Sequence, residues 1–237
     1  MDFQEIAPYL IGEKLDVGLN FRIARPSRKI LYRMDYLVAI SKGKRVIHVG
    51  CVDHSQFFET KIKQNFWLHK LLCDAAEYCL GFDIDEEGLE KVIGYGYKNV
   101  LKFDIVNDKV PDSLKNEKFD LIILGEILEH VDNPVEFLTR LHGKFKNICK
   151  QIVITVPNAY FINNLVGIFR NIEKINTDHR YTFTPYTLAK VSTIAGFKVR
   201  NYELMYNFRT SRNFLLKSIL FRLFPATRST IVMTLDF

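Results

Sequence analysis

Glu126-Ile127-Leu128-Glu129-His130 carries three polar side chains at positions i, i+3 and i+4. On a helical turn these share one face and present two carboxylates and an imidazole, a donor set suited to a divalent cation. Such a cation lowers the pKa of a hydroxyl and fixes its oxygen. Without one, His130 is a candidate general base, because imidazole titrates near neutral pH. Two further acids, Asp83 and Asp104, each follow a short apolar run. In an open α/β sheet ligands bind outside the carboxyl ends of the strands. A carboxylate at one strand end can accept from both hydroxyls of a ribose, and one at the next strand end from an adenine amino group. The pair describes an adenosine-containing ligand.

Those residues need a sheet to hold them, and the sequence supplies one. Short apolar runs alternate with amphipathic stretches, the pattern of stacked βα units and a mostly parallel sheet with helices on both faces. The predicted strands are Arg45 to Val49, Glu77 to Phe82, Val100 to Phe103, Phe119 to Leu124, Gln151 to Val156, Phe197 to Leu204 and Thr230 to Leu235. Their apolar continuity suits burial on both faces. A helix is predicted from Pro134, capped by Asp132 or Asn133, with Val135, Leu138 and Leu141 as its buried stripe. Another opens at Pro185 and stops at Gly196. The stretch Trp67 to Leu72 has helical periodicity, and its His69 is expected at the helix surface or as a cap.

In this order and spacing, VIHVGC, LGFDID, VLKFDI, FDLIILGEILEHVDNPVEFL and IVITVPN resemble the motifs of class I S-adenosylmethionine-dependent methyltransferases, over residues 44–237. The resemblance implies a Rossmann-like seven-stranded α/β fold and S-adenosylmethionine as methyl donor. Carried over, Gly50 and Cys51 would let the backbone approach the methionine part and Asp83, followed by Ile84, would hold the ribose. Asp104 and Ile105 would bracket the adenine, and Gly125 and Glu126 would floor the transfer site. The first motif departs from the family pattern. His48 stands where an acid is common, and Val52 and His54 replace two glycines, so side chains are expected to narrow the approach to the donor. His54 is expected beside the sulfonium. Glu-x-x-Glu-His is similar to the metal-binding motif of ubiquinone-pathway and small-RNA O-methyltransferases. In the latter a further histidine follows a Pro-Asn strand end, as His179 follows Pro157-Asn158 here. That resemblance implies a divalent cation such as Mg2+ on Glu126, Glu129, His130 and His179; Glu-x-Leu-Glu-His is also common where no metal is used. In that case His130 or His179 remains the candidate base.

Composition sets the outer bounds. The chain has 237 residues, 48% hydrophobic and 25% charged, and 13% aromatics exclude a mainly disordered chain. No apolar run reaches the roughly 18–20 residues of a membrane-spanning helix, and the first residues lack a signal-peptide pattern, so a cytoplasmic protein is expected. Net charge is +6, which favours anionic partners but is too mild to establish nucleic-acid binding. Cys51, Cys73, Cys79 and Cys149 show no CxxC spacing and read as small buried side chains. Residues 1–43 form an N-terminal extension with a predicted helix from Pro26 to Ile40. Its Arg22, Arg25, Arg28, Lys29 and Arg33 are read as a solvated face, with a lid or anion-binding surface as the alternative. Residues 158–184 are read as a substrate-covering insertion. Most of its aromatics Tyr160, Phe161, Phe169, Tyr181 and Phe183 are assigned to the core and the rest to an acceptor pocket. A second insertion, 209–228, is basic, apolar and helical, suited to packing on the sheet or a second subunit, or to a membrane surface. The leading reading is O-methylation of a small polar or glycan-type acceptor. RNA 2′-O-methylation is a rival, although no appended RNA-binding module is evident. A methyltransferase-like binding protein that lost catalysis at Val52 and His54 is the other. A nicotinamide oxidoreductase is disfavoured, because no G-x-G-x-x-G follows the first strand.

Overall fold

The computed structural model describes residues 3–26, 29, 31–53, 58–207 and 214–237. The strands are β1 (Arg45–Val49), β2 (Tyr78–Asp83), β3 (Val100–Lys102), β4 (Phe119–Gly125), β5 (Cys149–Pro157), β6 (Lys198–Met205) and β7 (Thr230–Asp236). The first five helices are α1 (Phe3–Leu10), α2 (Arg33–Ser41), α3 (Phe58–Lys63), α4 (Leu68–Ala75) and α5 (Glu86–Gly94). They are followed by α6 (Asp112–Lys115), α7 (Pro134–Phe145), α8 (Ile162–Ile168), α9 (Pro185–Ile194) and α10 (Phe214–Leu223). All seven expected strands are present, with ends displaced by one or two residues. They form one sheet of order β3-β2-β1-β4-β5-β7-β6, parallel except for β7, which runs antiparallel to both neighbours. This is the class I methyltransferase arrangement.

Alternation along the strands builds two cores. Ile47, Val49, Phe82, Ile122, Leu124, Ile152 and Ile154 face Leu138, Leu141 and Phe145 of α7 and Leu188 of α9. On the other face Val46, Cys79, Leu121, Ile123 and Val153 meet Met34 and Leu37 of α2 and Leu68 and Leu72 of α4. The covering helices start where their chemistry dictates. Asn133 accepts from the Glu136 N–H at 3.1 Å with Pro134 in the first turn, and Thr184 and Thr187 form a reciprocal capping box ahead of Pro185. The α9 helix ends before Gly196, whose φ of +99° suits glycine.

The N-terminal extension differs from expectation. The α2 helix begins at Arg33, not Pro26, because Tyr32 is extended (φ −107°, ψ 131°) and bridges Tyr206. The Arg33 N–H donates to Tyr206 O, and the Tyr206 N–H to Leu31 O, so this stretch spends its backbone groups beside the end of β6. Arg22, Arg25 and Lys29 are exposed, and Arg28 lies outside the described residues. Arg33 is drawn inward. A further helix, α1, buries Ile6 and Leu10 against the first core.

Other expectations are also corrected. His69 is fully buried because α4 turns it toward β2, and Cys73 is half-buried where the other three cysteines are buried. Of the five aromatics in 158–184, Phe183 alone is buried; its backbone bridges Asn158, whereas α8 buries no residue and leaves Phe169 88% exposed. In the second insertion Phe221 is buried while Ile219, Leu223 and Phe224 are exposed; residues 209–213 lie outside the described part. No helix among the described residues is long and apolar enough to cross a membrane.

Candidate active site

A cleft of about 1030 Å³ opens at the carboxyl ends of β1, β2, β3 and β4. That is at the upper end of ligand pockets, roughly 300–1,000 Å³, leaving room for two small molecules side by side. Gly50, Asp83, Ile84, Asp104, Ile105, Gly125 and Glu126 line it, as do Glu129, His130 and His179. His54 lies outside the described residues.

The β1 turn is shaped by Gly50, at φ +76° with its N–H on Phe82 O at 2.8 Å. A Cβ there would lie 2.1 Å from Ile127 Cδ1. Cys51 does not line the cleft. Its side chain points at Gly81, and its carbonyl accepts from Trp67 Nε1 at 2.9 Å. Val52 does not narrow the approach either. It is buried against Gly88 at the start of α5, where a Cβ would meet Val52 Cγ1 at 2.3 Å. The missing glycine is accommodated because the side chain turns under the loop, away from the cleft.

Asp83 accepts from three backbone N–H groups, Val52 on Oδ2 at 2.9 Å and Ile84 and Asp85 on Oδ1 at 2.8 and 3.1 Å. A carboxylate has about four acceptor positions. Oδ2, with one donor, keeps acceptor capacity that faces a ligand hydroxyl. Burial pushes the Asp83 carboxyl above its usual range, against the opposing effect of these donors. For Asp104 burial acts the same way but is outweighed by the Asn107 side chain and the Val106 and Asn107 N–H groups, which hold it below the usual range.

At the end of β4 the expected helical turn is absent. Glu126 takes a left-handed backbone conformation, φ +61°, its N–H donating to Thr155 O at 3.0 Å. The chain then makes a turn closed by His130 N–H on Ile127 O. This divides the expected donor set. Glu126 leaves it and faces Arg33 Nη1 at 4.0 Å, while ligand atoms of Glu129, His130 and His179 lie within 4.8 Å of one another. The loop bearing His179 is clamped onto this turn: the Arg180 and Tyr181 N–H groups donate to Glu129 O, and the Arg180 guanidinium pairs with Asp132 and donates to His130 O. The rings of His130 and His179 meet edge to face, centroids 4.7 Å apart. His130 Nδ1 lies 2.9 Å from Asp178 Oδ2, and His179 Nε2 3.1 Å from Asn176 Nδ2.

Glu129 is the anomaly. Its side chain is fully buried, and neither carboxylate oxygen has a hydrogen-bond partner; one Glu126 oxygen is also orphaned. Burial, and then the Glu126 charge, pushes the Glu129 carboxyl up to about 9, only partly offset by its own backbone N–H and by Arg33. Arg33, grouped from sequence with a solvated basic face, instead lines the cleft. It donates to Asn207 Oδ1 at 2.9 Å and Thr155 Oγ1 at 3.2 Å across the back of the cleft. Its position in a run of basic residues gave no sign of this. The aromatics of 158–184 do not line the cleft; that segment contributes Asn176, Asp178, His179 and Arg180 instead.

A sequence search against curated proteins finds no match. Solved structures share the fold at low identity. An S-adenosylmethionine-dependent methyltransferase from Mesorhizobium loti aligns with a TM-score of 0.52 at 13% identity, over 86% of this chain and 95% of that one. The magnesium protoporphyrin IX methyltransferase of Synechocystis PCC 6803, solved with bound S-adenosylhomocysteine, gives 0.52 at 14% over 86% and 81%. The small RNA methyltransferase HEN1 gives 0.57 at 13%, over 93% of this chain and 27% of that one. A family profile described as a methyltransferase domain matches residues 20–202. With the sheet order and the cleft at its carboxyl edge, that match makes the chain a member of the class I S-adenosylmethionine-dependent methyltransferases.

Proposed function

We propose that the chain methylates a hydroxyl oxygen of a small polar or glycan-type acceptor, with a divalent cation on Glu129, His130 and His179. The observation that carries this reading is Glu129. A buried carboxylate with no hydrogen-bond partner from another residue is costly unless a cation or proton completes it, and ligand atoms of two imidazoles lie within 4.8 Å. The donor set of one carboxylate and two imidazoles suits Mn2+, Fe2+ or Zn2+ better than Mg2+, which takes oxygen ligands. When bound, such an ion lowers the pKa of an acceptor hydroxyl and orients its oxygen.

The protein's own groups do the rest. Gly50, Asp83, Asp104 and Ile105 bind the methyl donor, S-adenosylmethionine, along one side of the cleft. Asp178 and Asn176 orient the two imidazoles. Arg33 and Glu126 shape the floor between donor and acceptor. The acceptor oxygen forms a bond to the methyl carbon as the carbon–sulfur bond breaks; with the cation held by His130 and His179 the hydroxyl proton passes to solvent, and in the cation-free site His130 or His179 takes it instead. Alignment of oxygen, methyl and sulfur supplies much of the acceleration, because the sulfonium is already a strong methyl donor.

A ribose 2′-hydroxyl at an RNA terminus is the second reading. It is favoured by the same carboxylate–imidazole group and by the shared fold of the small RNA methyltransferase. Transfer of labelled methyl groups to sugar-type acceptors and to RNA ending in a 2′-hydroxyl or a 2′-deoxy residue, with Mn2+ or with chelator, tests both. Cation-dependent methylation of the sugars supports the first reading; methylation only of the 2′-hydroxyl RNA replaces it with the second. Transfer unaffected by chelation and by His179→Ala removes the metal from either.

A further inference from the structure

Behind the cleft floor lies a second group of ligating side chains that the transfer reaction does not use. We propose that His69, Cys73 and Cys79 form a binding site for a zinc-class divalent ion, with His48 packed on His69 beside it. The fold assembles this cluster from three elements. His69 and Cys73 stand one turn apart on α4, on the same side of the helix. Cys79 lies on β2 and His48 on β1, both on the sheet face that α4 covers, because Cys79 pairs with Val46 and His48 with Gly81.

The three side chains stand close enough to share one ion. With Zn–S near 2.3 Å and Zn–N near 2.0–2.1 Å, tetrahedral coordination places sulfur about 3.6 Å from nitrogen. Cys79 Sγ lies 3.9 Å from His69 Nδ1, close to the sulfur–nitrogen value, while Cys73 Sγ lies 3.6 Å from the other ring nitrogen, Nε2, and His48 Nδ1 lies 3.3 Å from His69 Nδ1. One ligand atom from each of His69, Cys73 and Cys79 lies within 4.8 Å of the other two. Binding through His69 Nδ1 uses the nitrogen that already faces Cys79 and His48.

Two features show that the fold makes room for this cluster. Gly81 interrupts a central strand, where glycine is ordinarily unfavourable. A Cβ there would meet His69 Cε1 at 2.8 Å and Cys51 Sγ at 2.7 Å, so the imidazole enters through a gap that only glycine leaves. His48 and His69 are also buried at 2% and 0% exposure, stacked on one another. Two thiolates with one imidazole are a soft donor set of the zinc type, with a water to complete the tetrahedron. Binding a divalent ion releases the two thiol protons and leaves a filled site with no net charge, which suits burial. Half-buried Cys73 provides the access path.

Cobalt titration of the reduced full-length chain tests this. The cleft group of Glu129, His130 and His179 contains no sulfur, so a sulfur-to-cobalt charge-transfer band reports the deep cluster alone. The expected result is that band with tetrahedral cobalt absorption, saturating at one equivalent, displaced by zinc, and lost in Cys73→Ser and in Cys79→Ser. Absence of the band in the unmodified chain overturns the proposal whether or not the variants fold. Persistence of the band in both variants overturns it too, as does a Cys73–Cys79 disulfide whose reduction yields no cobalt binding.

Discussion

Replacing Glu129 by Gln tests the electrostatics of the cleft in the most direct way. The folded-state carboxyl is raised from 4.5 to about 9 by burial and then by the Glu126 charge. Folded protein therefore keeps a proton that the unfolded chain loses. The stability carried by this group is fully present below pH 4.5 and is lost as pH rises toward 9. One proton difference gives a slope of about 1.36 kcal/mol per pH unit. Between pH 5.5 and 8.5 the native chain should lose about 4 kcal/mol through Glu129 alone. Glu129→Gln has nearly the same shape and cannot ionise, so it escapes that loss. Groups that do not interact with Glu129, Asp83 included, titrate alike in both proteins and drop out, so the comparison reads Glu129 together with the neighbouring Glu126. Urea unfolding of the two proteins in chelator, at pH 5.5, 7 and 8.5, gives the difference directly. The variant should gain on the native chain steadily with pH, and a constant offset from the amide does not alter that slope. Mn2+ should flatten the slope of the native chain and leave the variant unmoved. Parallel stability curves for the two proteins across this range would refute the reasoning.

Asp83→Ala removes the acceptor left open to the ligand and the tie to Val52. Losing one charged hydrogen bond, worth roughly 1.5–3 kcal/mol, should weaken S-adenosylhomocysteine binding about ten- to hundredfold by calorimetry; unchanged affinity would contradict the ribose assignment. Gly50→Ala places a side chain at φ +76° and against Ile127, so denaturation should show a loss of about 1–3 kcal/mol together with weaker binding of the same ligand. Arg33→Met removes a positive charge that holds the Glu129 carboxyl down, so half-maximal cation binding should move to higher pH; an unmoved midpoint would show that Arg33 only ties Thr155 to Asn207.

What the sequence revealed and what it concealed have a common physical basis. Strands β1, β2, β4 and β5 are largely buried on both faces and therefore read as continuous apolar runs, and the ends of β1 to β4 carry the residues that line the cleft, Gly50, Asp83, Asp104 and Glu126. Helix starts were legible where a cap and a proline coincide, as at Asn133-Pro134. The Glu126 to His130 spacing misled because periodicity assumes a regular helix, whereas Glu126 turns left-handed as it leaves the sheet. The α2 helix is shorter than its sequence pattern predicts for a related reason: Leu31 and Tyr32 are recruited as backbone partners of Tyr206, across a sequence distance that no local pattern reports. The deep cluster was hidden in the same way. Its cysteines have no CxxC spacing, and its members come from α4, β1 and β2, which only the parallel pairing brings together. Gly81 inside a strand was the one local sign.

The two places where local rules fail are neighbours. Around the turn after β4, a left-handed glutamate and an orphaned carboxylate reduce stability in return for a charged floor. Beneath β1 and β2, a mid-strand glycine admits two imidazoles among sulfur atoms. His48 belongs to both, since it lines the cleft, contacts His69 through Nδ1, and lies with Nε2 3.7 Å from where a Gly125 side chain would begin. An acid at this position would put a negative charge beside Glu126 and Glu129, which already repel one another. A neutral imidazole avoids that repulsion, and burial holds His48 in its neutral form, well below its usual pKa, with His69 and Arg33 acting in the same direction. The departure from the family pattern at this residue therefore goes with the carboxylate pair on the next strand: the acid common at the end of β1 is replaced where β4 supplies the negative charge.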